Sequence, residues 1–480
     1  MTTRSLLRSL VLALGLLGLD ASAQIGPSVP AFPGAEGFGA AARGGRGGTP
    51  LYVTNTDDSG PGSLRWALLE PYPRTVLFAV SGTIALQSQL QIDSPFVTVA
   101  GQTAPGGGIA IRNAGPVTTA LVKVTTNDVV LRHLRFRPGP DDSNCGSANL
   151  DALLIDTPDS YRVIVDHCSV SWAVDENMSI FGGARDVTVQ WCLISEGLYC
   201  SNHEKTVEKV GCDDEPDPSG WCYDPVDAPD LHNPHSRGMT ISTLPDSSDN
   251  PDRISLHHNL WAHNDQRHPN VTSSTFVDFV NNVVYDFKSF SAKLAHKNTH
   301  STIRMNYEAN VFLPGPSTPP DQTHYVLTID APDPTSSTQV YYADNIAVDP
   351  VTTDLPNGYK QYIVGTPFQA PAVTMHSPFI LPLVLGAGAG ATLPARDAVD
   401  ARVVQEVLGG AGGEVNDPSE TGGWPDLKSL IAPLDTDKDG MPDDWEDIHG
   451  FEKNKPGDGP QDRDQDGYTN LEEYLNGTTP

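Results

Sequence analysis

A repeated pattern of apolar residues constrains the fold of this chain more than any other feature. Seven short segments between residues 125 and 350 fall into register when one residue of each is aligned. The aligned residues are Leu134, Cys168, Cys192, Asn259, Asn282, Asn310 and Asn345. The positions five and three residues before this reference column, and two residues after it, are apolar in every segment. The separations of 34, 24, 67, 23, 28 and 35 residues indicate a unit of about 23 residues with insertions.

Self-similarity at this period predicts a solenoid. The columns five and three residues before the reference lie two positions apart, so they share one face of a strand. One segment is too short to bury that face, whereas stacked segments form a continuous core. Four consecutive asparagines suit a turn, because Asn tolerates left-handed backbone and stacked amides can bond one another. The pattern predicts a parallel β-helix; a β-sandwich also has many short strands but no reason to keep these columns aligned.

Further elements are predicted before, within and after the repeat. Earlier coils are predicted at the strand-like runs Leu51–Thr54, Thr75–Val80, Val97–Ala100 and Ile109–Arg112. A short helix is expected over Asp397–Leu408, and residues 196–240 form an insertion rich in Asp, Pro and Gly. The predicted organisation is a β-helix domain over 24–408, a Gly/Pro-rich linker over 409–434 and a module over 435–480.

Residues 1–23 have the pattern of a signal peptide. Arg4 and Arg8 lie in or beside the basic region, an apolar stretch runs from Leu10 to Leu19, and Ala21-Ser22-Ala23 is a cleavage site. No later stretch is long and apolar enough to span a bilayer. We therefore expect an exported, extracellular protein without a membrane span.

The six cysteines fit an oxidising compartment. Cys168 and Cys192 occupy adjacent positions of the reference column and are expected to stack or to form a disulfide. The other four lie in or near the long insertion, and their pairing cannot be deduced from sequence. They are Cys145, Cys200, Cys212 and Cys222.

The net charge of −30 excludes nucleic acid as a partner, because phosphates require a basic surface. Residues 435–480 carry 14 acidic and 4 basic side chains, which is a net charge of −10. A third of the excess therefore lies in the last tenth of the chain. Metal ions and a few arginines can offset the remainder at a binding site. We expect a monomer.

Six segments, in this order, resemble the family 1 polysaccharide lyases, the pectate and pectin lyases. They are Ala31-Phe32-Pro33-Gly34-Ala35-Glu36-Gly37-Phe38-Gly39, Asp57-Asp58-Ser59-Gly60-Pro61-Gly62-Ser63-Leu64-Arg65, Ala100-Gly101-Gln102-Thr103-Ala104-Pro105, Val165-Asp166-His167, His235-Ser236-Arg237 and Arg267-His268-Pro269. The resemblance covers roughly residues 30–350. It implies a right-handed parallel β-helix that uses calcium and cleaves 1,4-linked polygalacturonate or pectin by β-elimination.

The resemblance assigns roles to several cationic residues. Arg267 matches the catalytic arginine, which acts as the base in the family; the alternatives are a carboxylate clamp or a structural ion pair. Arg237 matches a substrate-binding lysine, or is an exposed surface arginine. His268 and Lys293 are further candidates for substrate binding. The family pattern would place a second arginine near Thr272, where this chain has none.

The resemblance also implies an active-site calcium ion. The candidate ligands are Asp151, Asp175 and Glu176, whose hard oxygens suit calcium; the alternative is acidic residues in solvent-facing turns. A second acid expected near Ser179 is missing, and Glu176 could compensate for it. His167, like His133 and His258, stands next to the reference column, where stacked or buried histidine is the expectation and a three-histidine metal site the alternative.

Residues 435–480 contain two matches to a calcium-binding loop. Asp435, Asp437, Asp439, Gly440, Asp443 and Glu446 occupy positions 1, 3, 5, 6, 9 and 12 of the first loop, and Asp462, Asp464, Asp466, Gly467, Asn470 and Glu473 occupy the same positions of the second. The short helices Asp444–His449 and Leu471–Leu475 are predicted to follow. The tail resembles EF-hand-like calcium repeats of secreted polysaccharide enzymes; a disordered acidic tail is the alternative.

Three functions are compatible with these observations. The leading hypothesis is an exported pectate lyase with Ca²⁺ as cofactor. A glycoside hydrolase of the polygalacturonase type needs an acid and a base carboxylate at a fixed separation, and the Gly-His-Gly signature of those enzymes does not occur here. A non-catalytic polysaccharide-binding or adhesion protein is the third, because a β-helix is also an extended binding platform.

Overall fold

Three parallel sheets form the sides of a β-helix. The computed structural model describes residues 29–117, 119–140, 149–199 and 235–480. The predicted signal peptide, most of the 196–240 insertion and four cysteines (Cys145, Cys200, Cys212 and Cys222) lie outside the described residues. Each complete coil runs through one strand of sheet A, one of sheet B and one of sheet C before it returns to sheet A.

Counted over the described residues, sheet A has eleven strands, sheet B nine and sheet C eight. Sheet A consists of Thr49–Val53, Arg74–Phe78, Val97–Ala100, Val129–Arg132, Tyr161–Asp166, Arg185–Gln190, Asp252–His257, Thr275–Val280, Thr302–Glu308, Ser337–Ala343 and Ile363–Val364. Sheet B consists of Gly82–Leu86, Ile109–Asn113, Leu134–Phe136, Ser169–Ser171, Leu193–Ser195, Leu260–Ala262, Val283–Tyr285, Val311–Leu313 and Ile346–Ala347. Sheet C consists of Leu90–Ile92, Ala120–Val124, Asp151–Ile155, Glu176–Phe181, Arg237–Ser242, Asn270–Val271, Ala292–Leu294 and Leu327–Ile329. The short strands His324–Tyr325 and Val351–Thr352 pair separately.

The predicted columns are confirmed as strand register. The column five residues before the reference is a row of successive Cα partners in sheet A: Val129, Val163, Val187, Ile254, Val277, Met305 and Val340. The column two residues after it is the corresponding row in sheet B: Phe136, Val170, Ile194, Trp261, Val284, Phe312 and Ala347. These side chains belong to one core cluster that runs along the solenoid. The parallel β-helix is therefore confirmed, and its right-handed sense stays a prediction.

The four asparagines of the reference column form a hydrogen-bonded ladder. The Oδ1 of Asn282 accepts from the backbone N–H and the Nδ2 of Asn259, at 3.0 and 3.1 Å. Asn310 accepts from Asn282, and Asn345 from Asn310, in the same way. The expectation that the amides bond between coils is confirmed.

The left-handed backbone at this turn belongs to the residue before each reference position, and not to the asparagine. The φ angles of these seven residues lie between 50° and 55°: His133, His167, Trp191, His258, Asn281, Ala309 and Asp344. The rings of four of these residues also stack, with centroids 5.0 Å apart for His133 and His167 and 4.6 Å for Trp191 and His258. The expectation of stacked histidines is confirmed, with Trp191 inserted in the stack.

The described α-helices are Leu64–Leu68, Leu381–Gly388, Ala398–Gly409, Asp443–His449 and Asn470–Asn476; short 3-10 segments occur at Phe38–Ala41, Gly101–Thr103, Asn357–Tyr362 and Pro418–Thr421. The predicted helix over 397–408 is found one residue later, because Asp397 is its N-cap and accepts from the Asp400 N–H. Both predicted tail helices are found, each slightly longer. None of the described helices is long and apolar enough to cross a membrane.

Segments outside the coils cover two of the three sheets. The helices Leu381–Gly388 and Ala398–Gly409 pack on the outer face of sheet B. The N-terminal segment lies across sheet A, and the tail packs on the first strands of the same sheet. Residues of the predicted linker also lie against the body, where Trp424 Nε1 donates to the Arg137 carbonyl at 3.0 Å.

Cys168 and Cys192 are buried free thiols. The expected stacking holds, but the alternative of a disulfide between them is wrong. Each thiol donates instead to backbone carbonyl oxygens near the turn, such as Leu131 for Cys168 and Gln190 for Cys192. The two residues therefore fill the core of adjacent coils.

Candidate active site and metal sites

Charged side chains gather where neighbouring strands of sheet C begin. Glu176 and Arg237 are direct Cα partners, and Arg237 forms a bridge with Gln266 on the next coil. Asp151 starts the strand on the other side of Glu176, whose backbone N–H donates to Asp151 Oδ1 at 3.2 Å. Parallel stacking thus converts residues far apart in sequence into one row at the edge of the sheet.

Arg267 is held in this row by an unusual backbone. Its φ of 70° lies in the left-handed region, which costs a non-glycine residue free energy and is often retained at functional sites. Its carbonyl oxygen accepts from the Met239 N–H at 2.7 Å. Gly238 precedes Met239 in the chain. A Cβ on Gly238 would lie 2.6 Å from the Arg267 carbonyl oxygen, so glycine is required for this close approach.

The two arginines are ion-paired with the candidate calcium ligands. Arg237 Nη1 lies 2.6 Å from Asp175 Oδ1 and 4.0 Å from Glu176 Oε1. Arg267 Nη1 contacts the same Glu176 oxygen and donates to Thr240 Oγ1 at 3.2 Å. One oxygen each of Asp151, Asp175 and Glu176 lie within 4.8 Å of one another. The structure therefore brings together all five residues that sequence analysis assigned to the catalytic arginine, one substrate-binding arginine and the calcium ligands.

Burial shifts the ionisation of this cluster. Desolvation raises the pKa of Asp151 well above its ordinary value, and the nearby Asp175 carboxylate adds to the shift. Desolvation also lowers the pKa of Arg267, against the opposing effects of Asp175 and Asp151. A cation placed between the carboxylates would relieve their mutual repulsion, and three hard oxygen donors fit calcium.

His268, a candidate for substrate binding, does not lie at the surface of the described residues. Its side chain is fully buried and packs edge-on against Trp261, with ring centroids 5.8 Å apart. Burial lowers its pKa to about 3, so the ring is neutral at ordinary pH. Successive side chains point to opposite sides of an extended chain, so the residue after Arg267 turns into the core. His268 cannot reach a substrate on the outer face.

Lys293 lies on the same sheet, two coils beyond Thr240. Its Cα pairs with Asn270, which in turn pairs with Thr240. Its Nζ lies 3.0 Å from Asp330 Oδ2. Lys293 is therefore at the edge of the charged row and not in its centre.

The two positions that depart from the family pattern carry hydroxyl groups. Ser179 hydrogen-bonds Asp151 and opposes the rise in the Asp151 pKa. Thr272 Oγ1 lies 2.7 Å from Ser242 Oγ, which also accepts from Lys297 Nζ at 3.2 Å. Lys297 was missed by sequence analysis, because its distance of 25 residues from Thr272 in the chain gives no sign of this proximity.

The two tail loops have the same backbone hydrogen bonds. In the first, Asp435 accepts from the N–H groups of Lys438 and Gly440, and in the second Asp462 accepts from those of Gln465 and Gly467. The glycines at position 6 have φ angles of 103° and 101°. Oxygens of the three alternating aspartates in each loop lie within 4.8 Å of one another. Both loops thus present converging carboxylates.

The glutamate at position 12 of each loop is buried without a hydrogen-bond donor. Glu446 and Glu473 are 0 % and 1 % exposed, and neither carboxylate has a donor among the described residues. Burial, together with the neighbouring aspartates, raises the pKa of Glu446 to about 8 and that of Glu473 to about 7. Buried carboxylates are normally paired or bound to a metal, so the arrangement suits a cation in each loop.

The residues at position 9 of the two loops point elsewhere. Asp443 accepts from both the N–H and the hydroxyl of Thr436, each at 2.7 Å. Asn470 Oδ1 accepts from the Arg463 N–H at 3.2 Å. The structure therefore does not place Asp443 or Asn470 among the converging oxygens, because each side chain closes its own loop.

Known proteins are similar to this chain over nearly its whole length. The chain is 32% identical over 463 residues to a probable pectate lyase C of Emericella nidulans, covering 94% of this chain and 93% of the relative. It is 32% identical over 479 residues to a probable pectate lyase C of Aspergillus fumigatus, covering 97% of both chains. No protein-family model matches the chain.

A solved structure supports the fold. The β-helix is similar to the crystal structure of Jun a 1, the major allergen from cedar pollen, with a TM-score of 0.50 and 16% identity over 74% of this chain and 92% of that chain. The likeness concerns the fold alone. Together with the full-length similarity of the fungal relatives, it completes the assignment: the chain belongs to the pectate lyase family.

Proposed function

We propose that the protein is an exported, calcium-assisted lyase that cleaves 1,4-linked polygalacturonate by β-elimination. The observation that carries the proposal is the row of Asp151, Asp175, Glu176, Arg237 and Arg267 on sheet C, in which two cations meet three carboxylates. The acidic ligand set favours ionised pectate over esterified pectin, because an esterified substrate needs less positive charge. The signal-peptide pattern of residues 1–23 supports export.

Substrate binding requires positive charge opposite the uronate carboxylates. Arg237 is suited to this role because a guanidinium can bind a carboxylate through two parallel hydrogen bonds. Its present partner, Asp175 at 2.6 Å, holds the group at the edge of the sheet. Lys293 lies two coils further and would meet a more distant sugar. Arg237 thus binds the carboxylate of a sugar at the reacting bond, and Lys293 binds that of a more distant sugar.

The chemical step removes the proton at C5 of a galacturonate unit. Arg267 accepts this proton, the C–H electron pair forms a C4–C5 double bond, and the C4–O bond breaks. The departing oxygen takes a proton from water. An arginine is ordinarily too basic to be neutral, but burial lowers the pKa of Arg267 and so favours its role as the base. The product is an unsaturated oligogalacturonide.

A calcium ion held by Asp151, Asp175 and Glu176 would supply the positive charge that acidifies the C5 proton and stabilises the enolate-like intermediate. The same carboxylates orient the guanidinium groups of Arg237 and Arg267. The tail loops are proposed to bind two further calcium ions through Asp435, Asp437, Asp439 and Glu446, and through Asp462, Asp464, Asp466 and Glu473. A structural or docking role for that module suits its position against the body.

The test is an assay of polygalacturonate cleavage by the ultraviolet absorbance of the unsaturated product. We expect a calcium-dependent rise in absorbance that chelator abolishes. Arg267→Ala should lower kcat by about 10²–10⁴-fold, which is the usual contribution of a general base. Arg304→Ala is the matched control, because Arg304 is an exposed arginine on sheet A that lies over the Phe276 ring.

Three outcomes would contradict the proposal. An unchanged kcat in Arg267→Ala would remove this residue from the chemical step. New reducing ends without ultraviolet absorbance would indicate hydrolysis, and neither signal on pectate or esterified pectin would indicate a binding protein. The circular dichroism of each variant shows whether the β-helix is intact.

A further inference from the structure

Asp458 lies beside the first tail loop although it follows that loop's last predicted ligand, Glu446, by twelve residues. One oxygen each of Asp439, Glu446 and Asp458 lie within 4.8 Å of one another. The sequence does not single out Asp458, because this residue belongs to neither calcium-loop pattern. The chain reaches the site by returning after the Asp443–His449 helix.

The three carboxylates are buried and only partly bonded. Asp439, Glu446 and Asp458 are 2 %, 0 % and 5 % exposed. Both Glu446 oxygens and Asp458 Oδ1 have no donor among the described residues. The Lys455 ammonium is 4.0 Å from the other Asp458 oxygen, beyond hydrogen-bond reach. Burial of carboxylates without donors is costly unless a cation joins them.

Asp443 offers a direct contrast to Asp458. Both Asp443 oxygens are occupied by the N–H and hydroxyl of Thr436 at 2.7 Å. The loop pattern assigns Asp443 to position 9, where an EF-hand ligand often acts through water. Asp458 therefore has one buried oxygen without a donor among the described residues, whereas both oxygens of Asp443 have one.

We propose that Asp458 is a direct ligand of the calcium ion in the first tail loop, taking the place that the sequence pattern gives to Asp443. This inference rests on the proposal that the tail binds calcium. With Asp435, Asp437, Asp439, Glu446 and Asp458 the site has five side chains with carboxylate oxygens, which suits the six to eight oxygen ligands of calcium.

The same segment connects the two loops. The Asp458 carbonyl accepts from Asn470 Nδ2 at 2.7 Å, and the Gly459 carbonyl accepts from the Leu471 N–H at 3.0 Å. The Gly459 N–H donates to Asp439 Oδ2 at 2.8 Å. An ion held by Asp458 thus fixes the chain that leads into the second loop and its helix, so occupancy of the first site favours binding at the second.

The experiment is a calorimetric titration of the full chain with calcium chloride. Wild type should bind one ion at the active site and two in the tail. Asp458→Asn should weaken binding at a tail site by at least about tenfold, since even loss of an outer-shell partner weakens metal binding by that factor. Asp458→Glu keeps the charge, and its calcium affinity should lie between those of wild type and Asp458→Asn.

Two variants with the same change of charge serve as controls. Asp447→Asn alters an exposed residue of the same module that pairs with Lys453. Asp443→Asn tests the position that the sequence pattern favours. Both should retain the tail affinity of wild type within about twofold, which is the ordinary range of surface effects.

The outcomes separate this inference from the proposed function. If wild type binds one ion only, and Asp151→Asn abolishes it, the tail does not bind calcium. If wild type binds tail calcium and Asp458→Asn binds equally well, or Asp443→Asn alone is weakened, the role of Asp458 is wrong. A crystal structure of calcium-bound wild type decides the question without a variant: the ion should lie about 2.3–2.6 Å from Asp458 Oδ1.

Discussion

Lys297 provides a positive charge near the position where the family pattern has an arginine. Its Nζ donates to Ser242 Oγ, which bonds Thr272. Thr240, the partner of Arg267, lies two residues before Ser242 in the same strand. The side chains of Thr240 and Ser242 therefore share a face of the strand and lie about 6.6 Å apart along it. Lys297 and Arg267 thus serve the same surface of sheet C.

We expect Lys297→Gln to reduce kcat/KM on polygalacturonate by about tenfold, mainly through a higher KM, because a charge-assisted hydrogen bond to a substrate carboxylate is lost. Initial rates over a range of substrate concentrations measure this. Lys453→Gln is the control, because Lys453 is exposed and pairs with Asp447 in the tail. A lower kcat with an unchanged KM would assign Lys297 to the chemical step instead.

For single residues, the sequence predicted which side chains gather at the site better than it predicted where each side chain points. Arg237 and Arg267 were found from short motifs, because those motifs have a fixed place in the coil. His268 was misplaced, since a motif does not tell which neighbour of Arg267 faces the core. Loop spacing alone led to the prediction of Asp443, because spacing cannot show that Thr436 bonds both of its oxygens. Spacing also cannot show that the chain brings Asp458 back beside Asp439 and Glu446.

The asparagine ladder is the element that fixes the register of four coils. Asn282 is fully buried, and its Nδ2 donates to the Leu256 carbonyl at 2.9 Å while its Oδ1 accepts from Asn259. Each amide therefore satisfies backbone groups of its neighbours as well as the next amide. Because such groups cannot reach water, the ladder contributes to stability wherever it is buried.

Asn282→Ala should lower the free energy of unfolding by about 3 kcal/mol, because several buried donors and acceptors lose their partners. Urea unfolding followed by tryptophan fluorescence measures the change. Asn345→Ala is the graded comparison: Asn345 ends the ladder and is half-buried, so water can replace its amide. Equal losses at the two positions would argue against a contribution that depends on burial.

Among the strands and helices, the sequence best predicted those that belong to the repeated pattern. Seven aligned copies gave the register of sheets A and B, because each copy supports the others. The helix Leu64–Leu68 was missed since five residues carry too little periodicity to be recognised. The helix Leu381–Gly388 was also not predicted, because its apolar residues face sheet B on one side and remain exposed on the other.

The whole molecule is a solenoid whose first coils are braced by its last residues. Met441 and Leu471 of the tail pack against Leu77 and Ala100, in the second and third strands of sheet A. Arg46 Nε lies 2.8 Å from Glu472. Only the fold around these contacts could reveal them, because sequence separations above 340 residues leave no local pattern. Calcium bound by the tail, as proposed above, would therefore be linked to the stability of the first coils.

Ligand that binds only the folded tail stabilises it by mass action, and the shared apolar contacts transmit this to the body. We expect chelator to raise amide hydrogen exchange in Thr49–Val53, Arg74–Phe78 and Val97–Ala100, but not in Val283–Tyr285. Arg46→Gln should reduce this effect of calcium, because it removes the ion pair that anchors the second loop. If chelator accelerates exchange only within residues 435–476, the tail binds calcium as an independent module and the bracing is absent.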